Sequence, residues 1–503
     1  MENKEQTLKK RNEKLIKFFK DRHNLLLVLL LSFAIIIRIY YFVLTNGQPV
    51  WWDAGEYMSM ARAWAFNLDY EFLPVRPVLL SLITAIFFKI YYSEFLPRLL
   101  IFSLSVASVY GMYLLGKETY SKKTGLIAAT LMSVSYLSLF HTYRLLVDLP
   151  SLTFFIFSAL FFYKYFKYNS NKMLYYGAVF IAIGVLFRIT TATFLIAIAI
   201  YVLVLQKLSF LKKKEIWISA IIFWIVLSPY IIWGYLKFNG FVLTLAGGHN
   251  APAKGTFFSN GFSNMMSYIN LFPMVYSWLV LIFFIIGLIF MYKFFLGLDL
   301  IILKKTNKVN KELFLLLLFL IPIISVSFSI GNHYYEDRYI MNSLPAVFII
   351  AGSAVIKTYH IIKKNSKLLA VLFIIAFLII AMYPQLKYAD NLIKSRKDSF
   401  KEFKISGIWL RDNSEPNEKI ITSSWPMTGY YAERSARGFV STKEEFEEIR
   451  ASDPDLKYFI VSAVQSSPEW TYTYPQENNL TIIQAYFADQ AQQQPILVIY
   501  RLD

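Results

Sequence analysis

Apolar runs of about 17–25 residues recur along this chain, each long enough to cross roughly 30 Å of hydrocarbon as a helix. They predict eleven spans, near 24–44, 96–116, 124–142, 149–163, 174–188, 190–206, 216–236, 274–294, 313–331, 343–358 and 367–384. The stretch VLLSLITAIFFKIYY (78–92) is also apolar, but it is short and carries Lys89. Counted as a span it would invert every later loop, so it reads as a re-entrant or interfacial helix within a first outer loop, 45–95. Beyond residue 384 the pattern changes to charged stretches with turn-rich punctuation, DNSEPNEK and SSPEWTYTYPQENN. Helix-like periodicity over 398–413 and 442–452 alternates there with the strand-like runs KIITSS, KYFIVS, LTIIQAYF and PILVIYRL. The expected fold class is therefore a polytopic α-helical membrane protein of about eleven transmembrane helices with a small C-terminal α/β domain. Its expected units are a basic tail, 1–23, a transmembrane region, 24–384, and the α/β domain, 385–503.

Composition sharpens this picture. Of 503 residues, 56% are apolar and 18% aromatic, and none is cysteine, so disulfides, thiolate metal sites and cysteine catalysis are excluded. The basic tail runs straight into the first span with no small-residue cleavage site, which reads as a retained helix rather than a removed signal peptide. A net charge of +18 could suggest nucleic acid, but its distribution does not. The tail and the five loops on one side of the eleven spans hold 27 Lys and Arg, against a handful in the short loops opposite. That bias satisfies the positive-inside rule at every loop. The N-terminus is expected in the cytoplasm, the C-terminal domain outside it in a multi-pass cell membrane, and no nucleic-acid partner is called for.

Candidate chemistry collects in the outward-facing pieces. WWDAGEYMSMARAW (51–64) places Asp53 and Glu56 three residues apart. The two could form a capping box, or Asp53 could be a base at an aromatic-rich interface. The following helical face, Tyr57, Met60, Ala61 and Trp64, suggests a helix lying in the membrane interface. Downstream, Arg76 stands between two prolines in EFLPVRPVLL. Arg144 and Asp148, four apart in YRLLVDLP, could be a local ion pair or part of a polar path. Arg188 interrupts GVLFRITTATFL, either snorkelling or facing a polar cavity. GNHYYEDRYIMNSLPAV brings His333, Glu336, Asp337 and Arg338 to another boundary, where Arg338 suits a phosphate clamp better than the acids suit a metal site. The Gly- and Asn-rich loop 245–261 has the character of a lid, with His249 and Lys254 available. An acid among arginines suits a reaction in which a base activates a nucleophile while cations hold a phosphate leaving group.

These residues, in this order, resemble the membrane glycosyltransferases of the GT-C class, most closely the branch of protein O-mannosyltransferases and lipid A aminoarabinose transferases. The matching elements are WWDAGEYMSMARAW in the first outer loop, VRPVLL, VDLPSLTFF opening a span, LSPYIIWGYLKFNG, DRYIMNSLPAVFIIAG, and the tail around GIWLRDNSEPNEKIITSSWPMTGYYAERSARGF. The opening letters are also similar to the Trp-Trp-Asp-Tyr-Gly motif of oligosaccharyltransferases. That motif belongs to a C-terminal outer domain, so the match is set aside. The resemblance implies a GT-C fold with Asp53 as catalytic base, Glu56 beside it, and Arg76 where a lysine is usual. It implies Asp148 and Arg338 at the donor phosphate, and the charge pattern adds Arg144, Arg188, His249 and Lys254 as substrate-binding candidates.

The expected activity is an inverting glycosyl transfer, hexosyl or pentosyl, at the outer face of the membrane. The donor would be a polyprenyl-phosphate sugar such as dolichyl phosphate mannose, since nucleotide sugars are not normally available there. The acceptor would be a protein, lipid or glycan of the cell envelope, and membrane lipids would surround the chain. No cofactor is required, although the acids leave room for a divalent metal. The rival is a non-enzymatic lipid flippase or transporter of envelope glycans, which would need neither a long acidic, aromatic first loop nor an outer α/β domain.

Overall fold

The computed structural model describes residues 20–68, 76–238, 257–297, 309–329, 336–487 and 494–503. The helical region runs α1 (Arg22–Leu44), α2 (Trp52–Phe66), α3 (Leu79–Ile90), α4 (Phe95–Thr119), α5 (Lys122–Val134), α6 (Tyr136–His141), α7 (Asp148–Tyr168) and α8 (Asn171–Phe187). It continues with α9 (Thr193–Gln206), α10 (Lys214–Phe238), α11 (Phe257–Tyr276), α12 (Trp278–Ile289), α13 (Tyr292–Leu296), α14 (Lys311–Ser329), α15 (Leu344–Lys363) and α16 (Lys367–Arg396). Among the described residues, eight helices are long and apolar enough to cross a membrane, or nine if α11 and α12, bent by 110°, count as one span. Apolar side chains face outward on them: Val43 is 68% exposed and Leu236 72%. That is the pattern of a surface solvated by hydrocarbon rather than water.

Among the described residues, the expected spans 124–142 and 174–188 are not continuous helices of full spanning length. The stretch 124–142 breaks at Ser135 into α5 and α6, and 174–188 forms the larger part of α8, which has 17 residues and ends at Phe187. Helix α3, with 12 residues, is likewise shorter than the ~20 a span needs. The break at Ser135 has a physical cause. Arg38 of α1, fully buried, donates to the Ser133 carbonyl (3.1 Å), to Ser138 Oγ (2.9 Å) and to Ser105 Oγ (2.7 Å). The Tyr136 N–H donates to Gln385 Oε1 at 3.0 Å. Side chains thus take over backbone groups that an unbroken helix would satisfy by itself. Part of the 237–273 connection is also ordered as helix, since α11 begins at Phe257.

Helix α15 lies at the centre of the bundle. All of Leu344–Val355 is buried, and the helix is apolar around its whole circumference there, as a fully enclosed helix requires. It packs on α5, α12, α14 and α16.

The C-terminal part forms the two helices and four strands that the pattern predicts, and adds two short helices and a short strand that it does not, one of the helices within the stretch read as turn punctuation. Helix α17 (Lys401–Asn413) is followed by β1 (Lys419–Thr422), α18 (Trp425–Ala432), β2 (Ala436–Arg437), α19 (Lys443–Ser452), β3 (Leu456–Ser462), α20 (Trp470–Glu477), β4 (Thr481–Phe487) and β5 (Pro495–Arg501). The strands make one sheet of order β2-β1-β3-β5-β4, parallel on the β1 side and antiparallel around β5. Phe403, Ile420, Ile460 and Ile499 join the small core between the sheet and α17 and α18.

This sheet layer is joined to the helical region through α18, which packs on α2. Helix α2 is therefore not the interfacial helix that its apolar face suggests. Tyr57, Met58, Met60 and Ala61 are all buried, and so are Ala54, Gly55 and Glu56 on other sides of the helix. Its N-terminal flank is pinned by the Val50 N–H donating to the Tyr431 hydroxyl (2.7 Å), and its far end by Arg62 donating to the Tyr430 carbonyl (3.3 Å). Contact is closest at Gly55, where an added Cβ would stand 2.5 Å from the Pro426 carbonyl oxygen. Backbone cannot yield there as a side chain could. Gly55→Ala should therefore cost about 1–3 kcal/mol through overpacking. Gly234→Ala, with no atom within 4 Å of the new Cβ, should leave stability unchanged or raise it. Thermal unfolding of the two purified variants checks the contrast.

Candidate functional site

Helix α2 starts at Trp52, and its cap residue Trp51 is extended and makes no side-chain cap. Asp53 is accordingly the second residue of the helix, and the capping box with Glu56 does not form. Both carboxylates are drawn instead to arginines, charge-assisted bonds being stronger than a neutral cap. Arg76, just before Pro77, reaches Asp53 Oδ1 with Nη2 at 3.0 Å and pairs through Nε with Glu56. Their spacing of three on α2 puts both acids within reach of one guanidinium.

Three further charges arrive from distant elements. Asp148 is the first residue of α7, and Arg188 stands where α8 ends in extended backbone before a short 3-10 turn, Ile189–Ala192. The two form an ion pair, and Arg188 also lies 4.9 Å from the Tyr339 ring. Arg338 belongs to the 3-10 segment Asp337–Ser343 that leads into α15. Its Nη1 is 3.2 Å from Asp53 Oδ2 and 3.6 Å from Asp148 Oδ2, while Nη2 donates to Glu336 at 3.1 Å. The result is one continuous chain of alternating charge: Glu56, Arg76, Asp53, Arg338, Asp148, Arg188. Asp148 is 3% exposed and Glu56 2%, so isolated charges could not persist there.

Arg144 departs from its expected local pairing with Asp148. Its guanidinium is sandwiched between the rings of Trp51 (3.2 Å) and Phe140 (3.7 Å), and Nη2 has no hydrogen-bond partner. A stacked arginine of this kind is held by cation–π attraction and keeps its charge available. His249 and Lys254, like His333, lie outside the described residues. His141 was not singled out by sequence reasoning, yet it is buried beside Arg144 with both ring nitrogens unpartnered. The sequence carries no pattern that marks it: HTYR puts it three residues before Arg144, but α6 ends at His141.

Burial raises the Asp53 carboxyl, but Arg76 and Arg338 outweigh it and hold the group below the ordinary carboxylate range. Glu56 goes the other way: burial pushes it up further than Arg76 can pull it down. Two acids one turn apart are thus tuned in opposite directions. Among the described residues no group of three or more His, Asp or Glu side chains is placed to hold a metal ion. Arginines that carboxylates now satisfy can instead bind a phosphate, whose oxygens match the guanidinium fork.

The fold, a multi-helix bundle with a C-terminal sheet layer, is similar to that of solved membrane glycosyltransferases of the GT-C class. Residues 74–233 match the model of the family described as dolichyl-phosphate-mannose-protein mannosyltransferase. Among solved structures, ArnT from Cupriavidus metallidurans in the apo state is 11% identical with a TM-score of 0.61, over 94% of this chain and 97% of its own. The oligosaccharyltransferase of Archaeoglobus fulgidus in its apo form is 14% identical with a TM-score of 0.60, over 88% of this chain and 70% of its own. ArnT has also been solved bound to undecaprenyl phosphate, and the archaeal enzyme with an inhibitory peptide and a dolichol-phosphate. No curated protein matches the sequence significantly.

The charge chain makes a prediction of its own. Arg188→Leu leaves Asp148 buried without its main partner and should destabilise the protein by about 3–5 kcal/mol. Adding Asp148→Leu removes the stranded charge and should recover much of that loss. Thermal unfolding in detergent of the single and double variants measures both.

Proposed function

We propose that the protein is an inverting glycosyltransferase, taking a hexose or pentose from a polyprenyl-phosphate donor to an acceptor on the outer face of the membrane. In this reading the N-terminus is cytoplasmic, the C-terminal layer is extracytoplasmic, and the acceptor is a protein, lipid or glycan. The observation that carries it is the Asp53 carboxylate held between Arg76 (3.0 Å) and Arg338 (3.2 Å). A base and the cations that stabilise a phosphate leaving group then occupy one place. Support also comes from the neighbours of like fold, one solved with undecaprenyl phosphate and one with a dolichol-phosphate.

The steps follow from these groups. The donor phosphate engages Arg338 and Arg188, in competition with Asp53 and Asp148. An acceptor hydroxyl approaches Asp53, which takes its proton as the acceptor oxygen forms a bond to the anomeric carbon from the face opposite the phosphate. The bond from that carbon to the phosphate oxygen breaks, and its electron pair leaves with the polyprenyl phosphate. Arginine charge meets the negative charge that develops on the leaving oxygen. Because Arg338 depresses Asp53 at rest, a phosphate that draws Arg338 away strengthens the base only when donor is present. Donor binding and base strength are thereby coupled. Arg144 is a further donor-side cation, and Glu56 positions Arg76.

Purified protein supplied with polyprenyl-phosphate hexoses and pentoses and a panel of acceptors tests the reading. Sugar transfer is expected. Movement of lipid across vesicles with no transfer from any of these donors would favour the flippase instead. Arg338→Lys keeps the charge but loses the fork, and should weaken donor affinity roughly 10- to 100-fold.

A further inference from the structure

His141 is the last residue of α6, the short helix created by the break at Ser135. It is 4% exposed, and neither Nδ1 nor Nε2 has a hydrogen-bond partner. Nearby, Arg144 Nη2 is also buried and unpartnered. The charges that act on the imidazole are those of Arg144, Arg338 and Arg188. Helix α6 is tied to the charge chain itself: the Tyr136 hydroxyl donates to Asp337 Oδ2 at 2.6 Å, next to Arg338. Buried polar groups in native proteins are nearly always satisfied, and those that are not need a reason. Here the unpartnered ring nitrogens and the unpartnered Arg144 Nη2 lie within the field of three guanidinium groups. What such a place lacks is an acceptor-rich anion.

We propose that His141, together with the free Arg144 Nη2, is a hydrogen-bond donor to the phosphate oxygens of the polyprenyl phosphate as the sugar departs. The inference rests on the transferase reading above and adds to it a residue that the reading does not require. In either tautomer one ring nitrogen of His141 carries a proton to donate. The donor lipid is a phosphodiester with one negative charge, and the leaving group is a phosphomonoester that gains a second. In the transfer, the carbon–oxygen bond electrons pass to the phosphate oxygen, the acceptor's proton passes to Asp53, and His141 shares its proton with the phosphate without losing it. Donors unsatisfied before reaction and engaged as that second charge appears stabilise the transition state more than the bound donor. His141 should therefore act on turnover and on product affinity more than on donor affinity.

The test compares wild type with His141→Phe, which keeps a planar ring without nitrogens, and His141→Gln, which keeps an N–H. Initial rates of transfer, and competitive inhibition by added polyprenyl phosphate, are measured on the full chain in detergent. His141→Phe is expected to lower kcat and to weaken inhibition by polyprenyl phosphate, each roughly 10- to 100-fold, with donor KM changing far less. His141→Gln is expected to recover part of both. If His141→Phe does not fold, His141→Met, similar in bulk and equally without a donor, takes its place with the same expectations. Unchanged kcat and unchanged product inhibition in the folded donor-less variant would overturn the role of His141 and leave the transferase reading standing. A wild type that neither transfers sugar nor binds polyprenyl phosphate would overturn both.

Discussion

The Asp53 carboxylate is shared between two arginines, Arg76 and Arg338, that lie 262 residues apart in sequence. Neither arginine could be buried alone, and neither could the acid. The arrangement therefore forces three regions into register: the first loop, the turn into α15, and the open end of the α7–α8 hairpin, where α7 begins at Asp148 and α8 gives way to Arg188. Desolvation makes the chain of charges an all-or-none structure, because removing one member strands its neighbours. The same property suits it to exchange. An entering phosphate can replace a carboxylate on an arginine without exposing either charge to hydrocarbon.

Holding α2 still is the second requirement, and it is met from two sides. The bundle receives Tyr57, Met58 and Ala61, while α18 presses its backbone against Gly55 and bonds the flanks of α2 through Tyr431 and Tyr430. On the far side, Arg38 stabilises the break at Ser135. That break begins α6 at Tyr136, whose hydroxyl fixes Asp337 beside Arg338. A buried arginine in α1 is thus linked, through two sets of hydrogen bonds and the short backbone stretches between them, to the residue that grips Asp53.

The apolar runs were legible because a spanning helix is a long, one-dimensional signal. In the C-terminal layer α17, α19 and the strands β1, β3, β4 and β5 were legible because period is local too, whereas α18 and α20 were not, α20 forming within a stretch that reads as turn punctuation. The cluster's membership could also be read in large part. Asp53, Arg76, Asp148, Arg188 and Arg338 are charges at the ends of apolar runs, where a charge needs a reason. Their partners were not legible. The capping box and the Arg144–Asp148 pair are the nearest-neighbour solutions that local sequence offers, and tertiary contacts displaced both. The same holds for the break at Ser135, which depends on an arginine from another helix, and for the burial of α2, whose second cover comes from α18. His141 escaped notice because an isolated histidine carries no pattern until its neighbours are placed.

In the proposed reaction Asp53 is the base, while the arginines it holds at rest bind the donor phosphate. The direct measurement is Asp53→Asn assayed for both turnover and polyprenyl-phosphate binding. The amide cannot accept the acceptor's proton, so turnover should fall roughly 10²–10⁴-fold. It also competes less for Arg338, so the phosphate should bind as tightly as before or more tightly. A folded Asp53→Asn protein that transfers sugar at the wild-type rate would contradict the account.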